Sequence, residues 1–423
     1  MSQPSTRINK YLPAAVVYFF LNGFLLPTGI LYTTLLTPLL LLWVARYSNI
    51  NYFLIFLLLL TPFVIAHGID GIEDKKFYLT SIGLSFTVFV FCVAFYQYLT
   101  QCHTLRTIFK NILLINAFMV LVSLVFLFLP SVRPVFWMGN TMSLGSHNFQ
   151  RLKMLTYEPS YYSTLFAPIA IYYLLKVFRR ELPAPALYCV LVLVPLILSL
   201  SFGVILGIAL TFLALLILHA RKLIFRLKNI KYIFGGAALL VTVLVVLVVF
   251  FPDNVFFRRI HNILAGYDTS FNGRTMDSFI LSMEIARRKS LIWGVGFGQI
   301  KVLGLYLYRA FYHYGLFTIH DVAIPNSIGD ILGTLGLLGV GLKFYLEIYF
   351  FFRTKVFSNY YRLALFVFIF IYQFTGSFIS NIAEYAIWIM AFKPDLFPEF
   401  NKQSSISPTP VRPTADPALT PVP

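Results

Sequence analysis

Long apolar runs, separated by short polar segments, fill the chain from Tyr11 to Phe392. Each run has close to the ~20 residues with which an α-helix crosses the ~30 Å hydrocarbon core of a bilayer. The pattern predicts twelve spans, at residues 13–26, 29–45, 52–67, 77–99, 107–129, 160–178, 185–200, 201–219, 232–251, 326–352, 363–378 and 380–393. We therefore expect one all-α polytopic membrane domain over residues 1–400.

The number of spans depends on two regions in which a turn must separate two short helices. The turns fall at residues 27–29 within 13–45 and at residues 199–203 within 185–219, where Pro, Gly or Ser interrupts the apolar pattern. An error here changes the count by two, which gives ten to twelve spans. An even change leaves the sidedness of every later loop unaltered.

The basic residues indicate the orientation of the chain. With a cytoplasmic N-terminus, alternate loops are cytoplasmic, and these loops carry clusters of Lys and Arg as the positive-inside rule requires. The clustered residues are Arg46, Arg106, Lys110, Arg179, Arg180, Arg221, Lys222, Arg226, Lys228, Lys231, Arg353, Lys355 and Arg362. The C-terminus is then also cytoplasmic, and residues 401–423, rich in Pro, Ser and Thr, are predicted to be a disordered tail.

Composition agrees with a membrane protein and excludes other classes. Hydrophobic residues make up 59% of the chain and charged residues 12%, while the net charge is +17. This charge lies in short loops and not on a continuous polar surface, so we expect no nucleic-acid partner. Cys92, Cys102 and Cys189 form no CxxC pair and no cluster with His, so the sequence predicts no disulfide, no metal and no cofactor.

Two loops on the outer, periplasmic side are much longer than the others, at about 130–159 and 252–325. The second carries eight basic residues, against the positive-inside tendency, which indicates a functional use for the charge. They are Arg258, Arg259, Arg274, Arg287, Arg288, Lys289, Lys301 and Arg309.

In the first long loop, Arg151 is followed by Glu158 and Pro159 at the head of an apolar helix. Proline suits the first helical turn, and a carboxylate just before it is favoured by the helix dipole. Glu158 is therefore either a structural capping residue or a general base that accepts a proton from a substrate hydroxyl.

The second long loop predicts an amphipathic helix on the membrane surface over residues 276–289. Glu284 and Arg288 are four residues apart, so part of the charge there has an alternative explanation as a solvated helix face. The glycines of residues 294–298 lack the strand that a nucleotide-binding loop requires, and we predict no nucleotide site.

Further ionisable residues lie near or within the last spans. His320 precedes the span at 326–352, and Asp330 lies about one turn into it, where an ionisable group indicates function. Lys343 and Glu347 are spaced to neutralise each other. Glu384 has no evident partner in the sequence.

These residues resemble a known family. Residues 151–162, an arginine leading to Glu-Pro-Ser-Tyr at the head of a span, are similar to the motif of Wzy-type O-antigen and exopolysaccharide polymerases. Arg274 and the segments 293–298, 325–327 and 332–339 are similar to the large-loop pattern that these polymerases share with the O-antigen ligases. The resemblance implies a GT-C-like helical bundle in a bacterial inner membrane.

One departure from the ligase pattern favours the polymerases. Ligases usually have a His-Asn pair at the start of the span after the large loop, whereas this chain has Pro325-Asn326. His320 is near enough in sequence to act as a substitute. The Glu-Pro-Ser segment is more typical of the polymerases.

The resemblance implies a metal-independent glycosyltransferase that moves a glycan from undecaprenyl pyrophosphate to a sugar hydroxyl of another lipid-linked repeat unit. The residues that it assigns to the pyrophosphate are Arg151, Arg274, Arg287 and Arg288. The candidate catalytic residues are Glu158, with His320 and Asp330 as substitutes. A chain-length regulator and a flippase of the same pathway are implied partners. An O-antigen ligase and a lipid-linked oligosaccharide flippase are the alternative functions.

Overall fold

The computed structural model describes residues 11–26, 30–47, 51–140, 149–224 and 261–402. Helices form most of this part of the chain. They are α1 (Leu12–Val16, continued by a π-helical turn at Val17–Leu21), α2 (Tyr32–Leu35), α3 (Thr37–Tyr47), α4 (Asn51–Ile69), α5 (Lys75–Gln101), α6 (Leu105–Leu127), α7 (Arg133–Phe136), α8 (Pro159–Phe178), α9 (Pro185–Ser199), α10 (Phe202–Ile224), α11 (Thr269–Arg274), α12 (Met276–Arg287), α13 (Gln299–Phe311), α14 (Ser327–Arg353), α15 (Tyr360–Tyr372) and α16 (Ile382–Phe392).

The first long loop also contains a short β-hairpin, which the apolar pattern did not predict. Strand β1 (Trp137–Asn140) pairs antiparallel with β2 (Phe149–Leu152), so that Met138 lies opposite Arg151. This pair is the one sheet within the described ranges. The prediction of an almost entirely helical protein is otherwise confirmed.

Five helices, α4, α5, α6, α8 and α14, are long and apolar enough to cross a membrane. An apolar helix also lies within each other predicted span that the described residues include, but these helices are shorter. The chain is thus a multi-pass membrane protein by helix length and composition, while the number twelve stays a prediction.

Several predicted features lie outside the described residues. They are the turn at residues 27–29, the span at 232–251, the tail from 403 onwards and the side chains of Arg221, Lys222, Arg226, Lys228, Lys231, Arg258 and Arg259.

Helix α8 is the centre of the main hydrophobic core. Its most apolar stretch is 83% buried inside the protein, whereas that of α4 is 11% buried and presents leucines outward, as a lipid-facing helix does. Helices α9, α10, α15 and α16 pack around α8. Because α8 begins at Pro159, its position in the core fixes where the preceding residue, Glu158, lies.

Helix α14 is broken in the middle. Gly336 has φ 68° and ψ −165°, a conformation essentially restricted to glycine. On either side of it, Ser327 and Lys343 both donate to the same oxygen, Oε1 of Glu384, at 3.2 and 2.7 Å. Residues sixteen apart in a straight helix are separated by about 24 Å along the axis. The two halves of α14 therefore fold back on each other at Gly336.

A glycine-rich segment, residues 291–298, crosses the break and satisfies its backbone groups; we call it the crossing segment. Four hydrogen bonds join it to α14: Val295 N to Gly333 O (2.9 Å), Gly296 N to Thr334 O (3.0 Å), Leu337 N to Leu291 O (3.0 Å) and Leu338 N to Ile292 O (3.1 Å). A Cβ atom on Gly294 would lie 2.5 Å from the Thr334 carbonyl carbon and oxygen. Gly294 thus permits the close approach of the two backbones, which gives this motif a structural role.

The predicted amphipathic helix exists as α12, and its position on the membrane surface stays a prediction. One apolar side chain, Ile280, is 44% exposed. The buried residues are Ser278, Leu281, Ser282, Ile285 and Ala286. Small side chains face α14 because they allow two helices to approach closely, as they do between membrane helices.

On the charged face of α12, the partner of Glu284 differs from the expected one. Glu284 pairs with Arg287, three residues on, at 2.8 Å, and not with Arg288. The guanidinium of Arg288 instead lies over the ring of Tyr306 at 5.8 Å.

Candidate functional site

The two long loops meet at an ion pair. Nη2 of Arg274 lies 3.2 Å from Oε1 of Glu158, although the residues are 116 positions apart in the chain. The hydroxyl of Ser160 donates to the same carboxylate oxygen at 2.5 Å. The side chains of Arg274 and Glu158 are about one-third exposed, at 31% and 33%. Both charged groups are therefore held in place and open to a ligand.

Glu158 occupies the N-cap position of α8. Its backbone is extended, with φ −147° and ψ 143°, and Pro159 begins the helix as the sequence predicts. Its side chain makes no capping hydrogen bond to the helix backbone. The carboxylate instead contacts Ser160 and Arg274. The structure therefore does not show the hydrogen bond that a purely capping role for Glu158 would require. The general-base role stays a prediction.

Arg274 is the last residue of α11, and Asn326 holds its backbone. The Asn326 amide nitrogen donates to the Arg274 carbonyl at 2.8 Å. Its amide oxygen accepts from Gly329 N at 2.6 Å, which caps the N-terminus of α14. One buried side chain thus joins the end of α11 to the start of α14. An Asn immediately before a helical run is the sequence signal that would have indicated this cap.

An open cleft with an empty volume of about 350 Å³ lies at the ion pair. Its walls combine aromatic rings with a few polar groups, a composition typical of small-molecule sites. The lining residues are Tyr157, Glu158, Ser160, Tyr161, Arg274, Pro325, Tyr372, Ser377, Phe378 and Asn381. The sequence reasoning selected only Glu158 and Arg274 of this set as site residues, because aromatic contacts leave no linear signature.

Two tyrosines form one wall of the cleft. The ring of Tyr157 stacks on that of Tyr161 with centroids 4.7 Å apart. Burial raises the pKa of Tyr157 well above its ordinary value, and the nearby Tyr161 and Glu158 raise it further. The Tyr157 hydroxyl is therefore neutral across the physiological pH range and available as a hydrogen-bond donor.

Arg151 lies on β2 and is not among the residues lining the cleft. Its guanidinium donates to the carbonyl oxygens of Ser199 at 3.1 Å and Leu200 at 3.4 Å. These carbonyls are at the C-terminus of α9, where the helix dipole favours a positive charge. The structure thus gives Arg151 a support role at the end of α9 and does not bring it to Arg274.

The other predicted site residues also lie outside the cleft lining. His320 is exposed on the loop before α14. Asp330 lies in the first turn of α14, where its carboxylate accepts a hydrogen bond from Ile379 N at 2.9 Å. Arg287 and Arg288 are exposed on α12. Of the seven predicted residues, the structure brings Glu158 and Arg274 together.

Within the described ranges, no three His, Cys, Asp or Glu residues are placed to hold a metal ion. No protein-family model matches the chain, and no curated protein matches it.

Proposed function

We propose that the protein is a glycan polymerase that acts at the outer face of a bacterial inner membrane. It transfers a glycan from a lipid pyrophosphate to a sugar hydroxyl of a second lipid-linked repeat unit. The observation that carries the proposal is the Arg274–Glu158 pair in an open cleft at the head of α8. A cation for the departing diphosphate and a carboxylate for the attacking hydroxyl are the two groups that this reaction needs without a metal.

Arg274 holds the diphosphate in this mechanism. Its planar guanidinium offers paired donors to phosphate oxygens. Its contact with Glu158 is a single 3.2 Å pair that is one-third exposed, so breaking it costs at most about 1 kcal/mol. Binding of the diphosphate therefore replaces Glu158 at Arg274 and frees the carboxylate.

Glu158 is then the general base. It takes the proton from the acceptor hydroxyl as the new bond from that oxygen to the anomeric carbon forms. The bond from the anomeric carbon to the pyrophosphate oxygen breaks, and the lipid pyrophosphate leaves with the electron pair at Arg274. Ser160 keeps its hydrogen bond to Glu158 and fixes the orientation of the carboxylate. Because the diphosphate replaces Glu158 at Arg274, the base becomes available when the donor is bound.

The remaining predicted residues have secondary parts in the proposal. Arg287 and Arg288, exposed on α12, attract the anionic lipid to the site. Arg151 supports the loop that carries Glu158. His320 and Asp330 rank below Glu158 as candidates for the base, because neither lines the cleft.

Surface polysaccharide length in cells tests the proposal. We expect Arg274→Ala and Glu158→Gln to abolish the long products, because loss of a general base alone lowers the rate by ~10²–10⁴-fold. Arg353→Ala is the matched control, since it removes an exposed arginine at the C-terminal end of α14, outside the cleft, and it should leave the ladder intact. Normal ladders in both cleft variants, at unchanged protein level, would refute the proposal. Extension of purified lipid-linked repeat unit without a lipopolysaccharide core separates a polymerase from a ligase.

A lipid-linked oligosaccharide flippase is the second candidate. The break in α14 and the ionisable side chains buried beside it favour this function, because discontinuous helices and intramembrane charges are typical of transporters. Incubation in detergent separates the two, since no membrane is then present to cross. A polymerase releases undecaprenyl pyrophosphate and lengthens the glycan, whereas a flippase leaves the substrate chemically unchanged.

A further inference from the structure

Three ionisable side chains are buried together between α14 and α16. Nζ of Lys343 lies 2.7 Å from Oε1 of Glu384 and 3.3 Å from Oε1 of Glu347. The side chains of Lys343, Glu347 and Glu384 are 12%, 5% and 1% exposed. The Lys343–Glu347 pair expected from the sequence is confirmed, and the partner that Glu384 lacked in the sequence is the same lysine. We call these three residues the α14 cluster.

The charges of the α14 cluster do not balance. Among the described residues, Lys343 is the one cation within ion-pair distance of either carboxylate. Two ionised carboxylates and one ammonium leave a net charge of −1, and an uncompensated charge buried in a membrane protein is strongly unfavourable. The ionisable groups from the neighbouring elements are Asp330, Tyr372 and Tyr385, none of which supplies a positive charge. Lys301 acts on Asp330 and Arg274 acts on Tyr372, but neither cation lies within ion-pair distance of Glu347 or Glu384.

Hydrogen bonding points to a missing donor in the same place. Gln373, fully buried, donates from its amide nitrogen to Oε2 of Glu347 at 3.2 Å. This bond fixes the orientation of the amide, and the amide oxygen of Gln373 is left without a partner. Oε1 of Glu347 is buried too, and its contact is with Lys343 Nζ at 3.3 Å, outside good hydrogen-bond geometry. Buried acceptors without donors are rare in proteins.

Glu384 is bonded on one side only. Its Oε1 accepts from Lys343, from Ser327 at 3.2 Å and from Trp388 at 3.3 Å, whereas its Oε2 has no partner. With three donors on one oxygen, Glu384 is the carboxylate of the cluster better stabilised as an anion. Glu347 is the one left to be neutralised.

A proton fits these observations better than a metal cation. Lys343 already lies between the two carboxylates, and a second positive ion within a few ångströms would be repelled by the ammonium. A proton on Glu347 removes the excess negative charge and changes an acceptor into an O–H donor, which is what the cluster lacks.

We propose that the α14 cluster is an intramembrane proton-binding site, formed in the bend of the broken helix, which holds one proton on Glu347. The proton comes from water and adds to the Glu347 carboxylate to give the neutral acid. Lys343 and Glu384 stay an ion pair, so the cluster is then electrically neutral. The inference stands on the α14 cluster alone and does not depend on the glycosyltransferase activity.

Counting protonated carboxyl groups by infrared spectroscopy tests the site. The carboxylic acid C=O band of purified protein in detergent is compared among variants, with Asp330→Asn measured to identify that residue's own contribution. We expect one acid group in the wild-type cluster and none in Glu347→Gln. We also expect none in Glu384→Gln, because Glu347 then ionises to pair with Lys343. Lys343→Met should hold two, because neither carboxylate retains a cation.

Two results would overturn the site. One is an acid band that is identical in the wild type and Glu347→Gln, which would show that Glu347 carries no proton. The other is an acid band that persists in Glu384→Gln, which would show that the two carboxylates do not share one positive charge. Glu347→Gln mimics the protonated acid in shape and should fold normally. If Lys343→Met does not fold, the two glutamine variants decide the question.

Discussion

Substitution of Gly336 by Ala tests the break in α14 most directly. A Cβ atom at this position would overlap the carbonyl group of Ile292 and lie 2.5 Å from Gly294 N. Neither neighbour can rotate away, because both belong to the backbone of the segment that crosses the break. The backbone conformation of Gly336 itself disfavours any residue with a Cβ by about 1–3 kcal/mol.

The expected loss of stability follows from these two effects. Displacing the crossing segment far enough to fit a methyl group breaks at least the pair of hydrogen bonds from Leu337 N and Leu338 N, about 1 kcal/mol each. With the backbone strain, Gly336→Ala should lower the free energy of unfolding by about 3–5 kcal/mol. Gly341→Ala is the matched control, since nothing lies within 4 Å of its added Cβ. It should stabilise α14 by about 0.5–1 kcal/mol.

Denaturant unfolding of the purified protein in detergent measures both variants. Fluorescence provides a local signal when the other three tryptophans, Trp43, Trp137 and Trp388, are replaced by Phe in both variants, because Trp293 lies in the crossing segment and its carbonyl accepts a hydrogen bond from His67 at 2.8 Å. We expect the tryptophan signal to change in Gly336→Ala and not in Gly341→Ala. Equal stability of the two variants would refute the fold-back of α14, since a straight helix would gain from alanine at both positions.

Three further predictions concern residues near the cleft and the loop that carries Glu158. Asn326→Ala removes both the α14 cap and the bond to Arg274, and should cost about 1–2 kcal/mol in denaturant unfolding, whereas Asn326→Ser keeps a capping oxygen and should recover part of it. Arg151→Ala leaves the α9 carbonyls without their charged donor and should cost about 1.5–3 kcal/mol, and an unchanged unfolding midpoint would contradict the support role. Burial lowers the pKa of Lys153, so its charged form opposes folding at neutral pH. Lys153→Met should therefore stabilise the protein more at neutral pH than near the ordinary lysine pKa of about 10.4, and equal stabilisation at both would contradict this.

The apolar pattern predicted the positions of the helices well because hydrophobic runs and helix-starting residues are local properties of the sequence. The start of α8 at Pro159 and the N-cap at Glu158 follow from neighbouring residues alone. The sequence singled out Glu158 and Arg274 because each lies in a long loop, but it did not predict their 3.2 Å contact, which joins residues 116 positions apart.

The break in α14 could not be predicted from its own residues. Its sequence is a largely apolar run in which Gly336 is one of several glycines. What distinguishes Gly336 is the crossing segment from a different part of the chain, whose backbone supplies the hydrogen bonds that the broken helix loses. The same fold-back explains why Glu384 had no partner in the sequence, because Lys343 reaches it only when α14 is bent.

The start of α14 contacts both the cleft and the α14 cluster. Asn326 holds the backbone of Arg274, and the next residue, Ser327, donates to Glu384. If Glu347 lost its proton, it would compete with Glu384 for Lys343, and the contacts of Glu384 with Ser327 would change. A change of charge in the cluster would therefore alter a contact of Ser327, the residue next to the Asn326 that holds the Arg274 backbone.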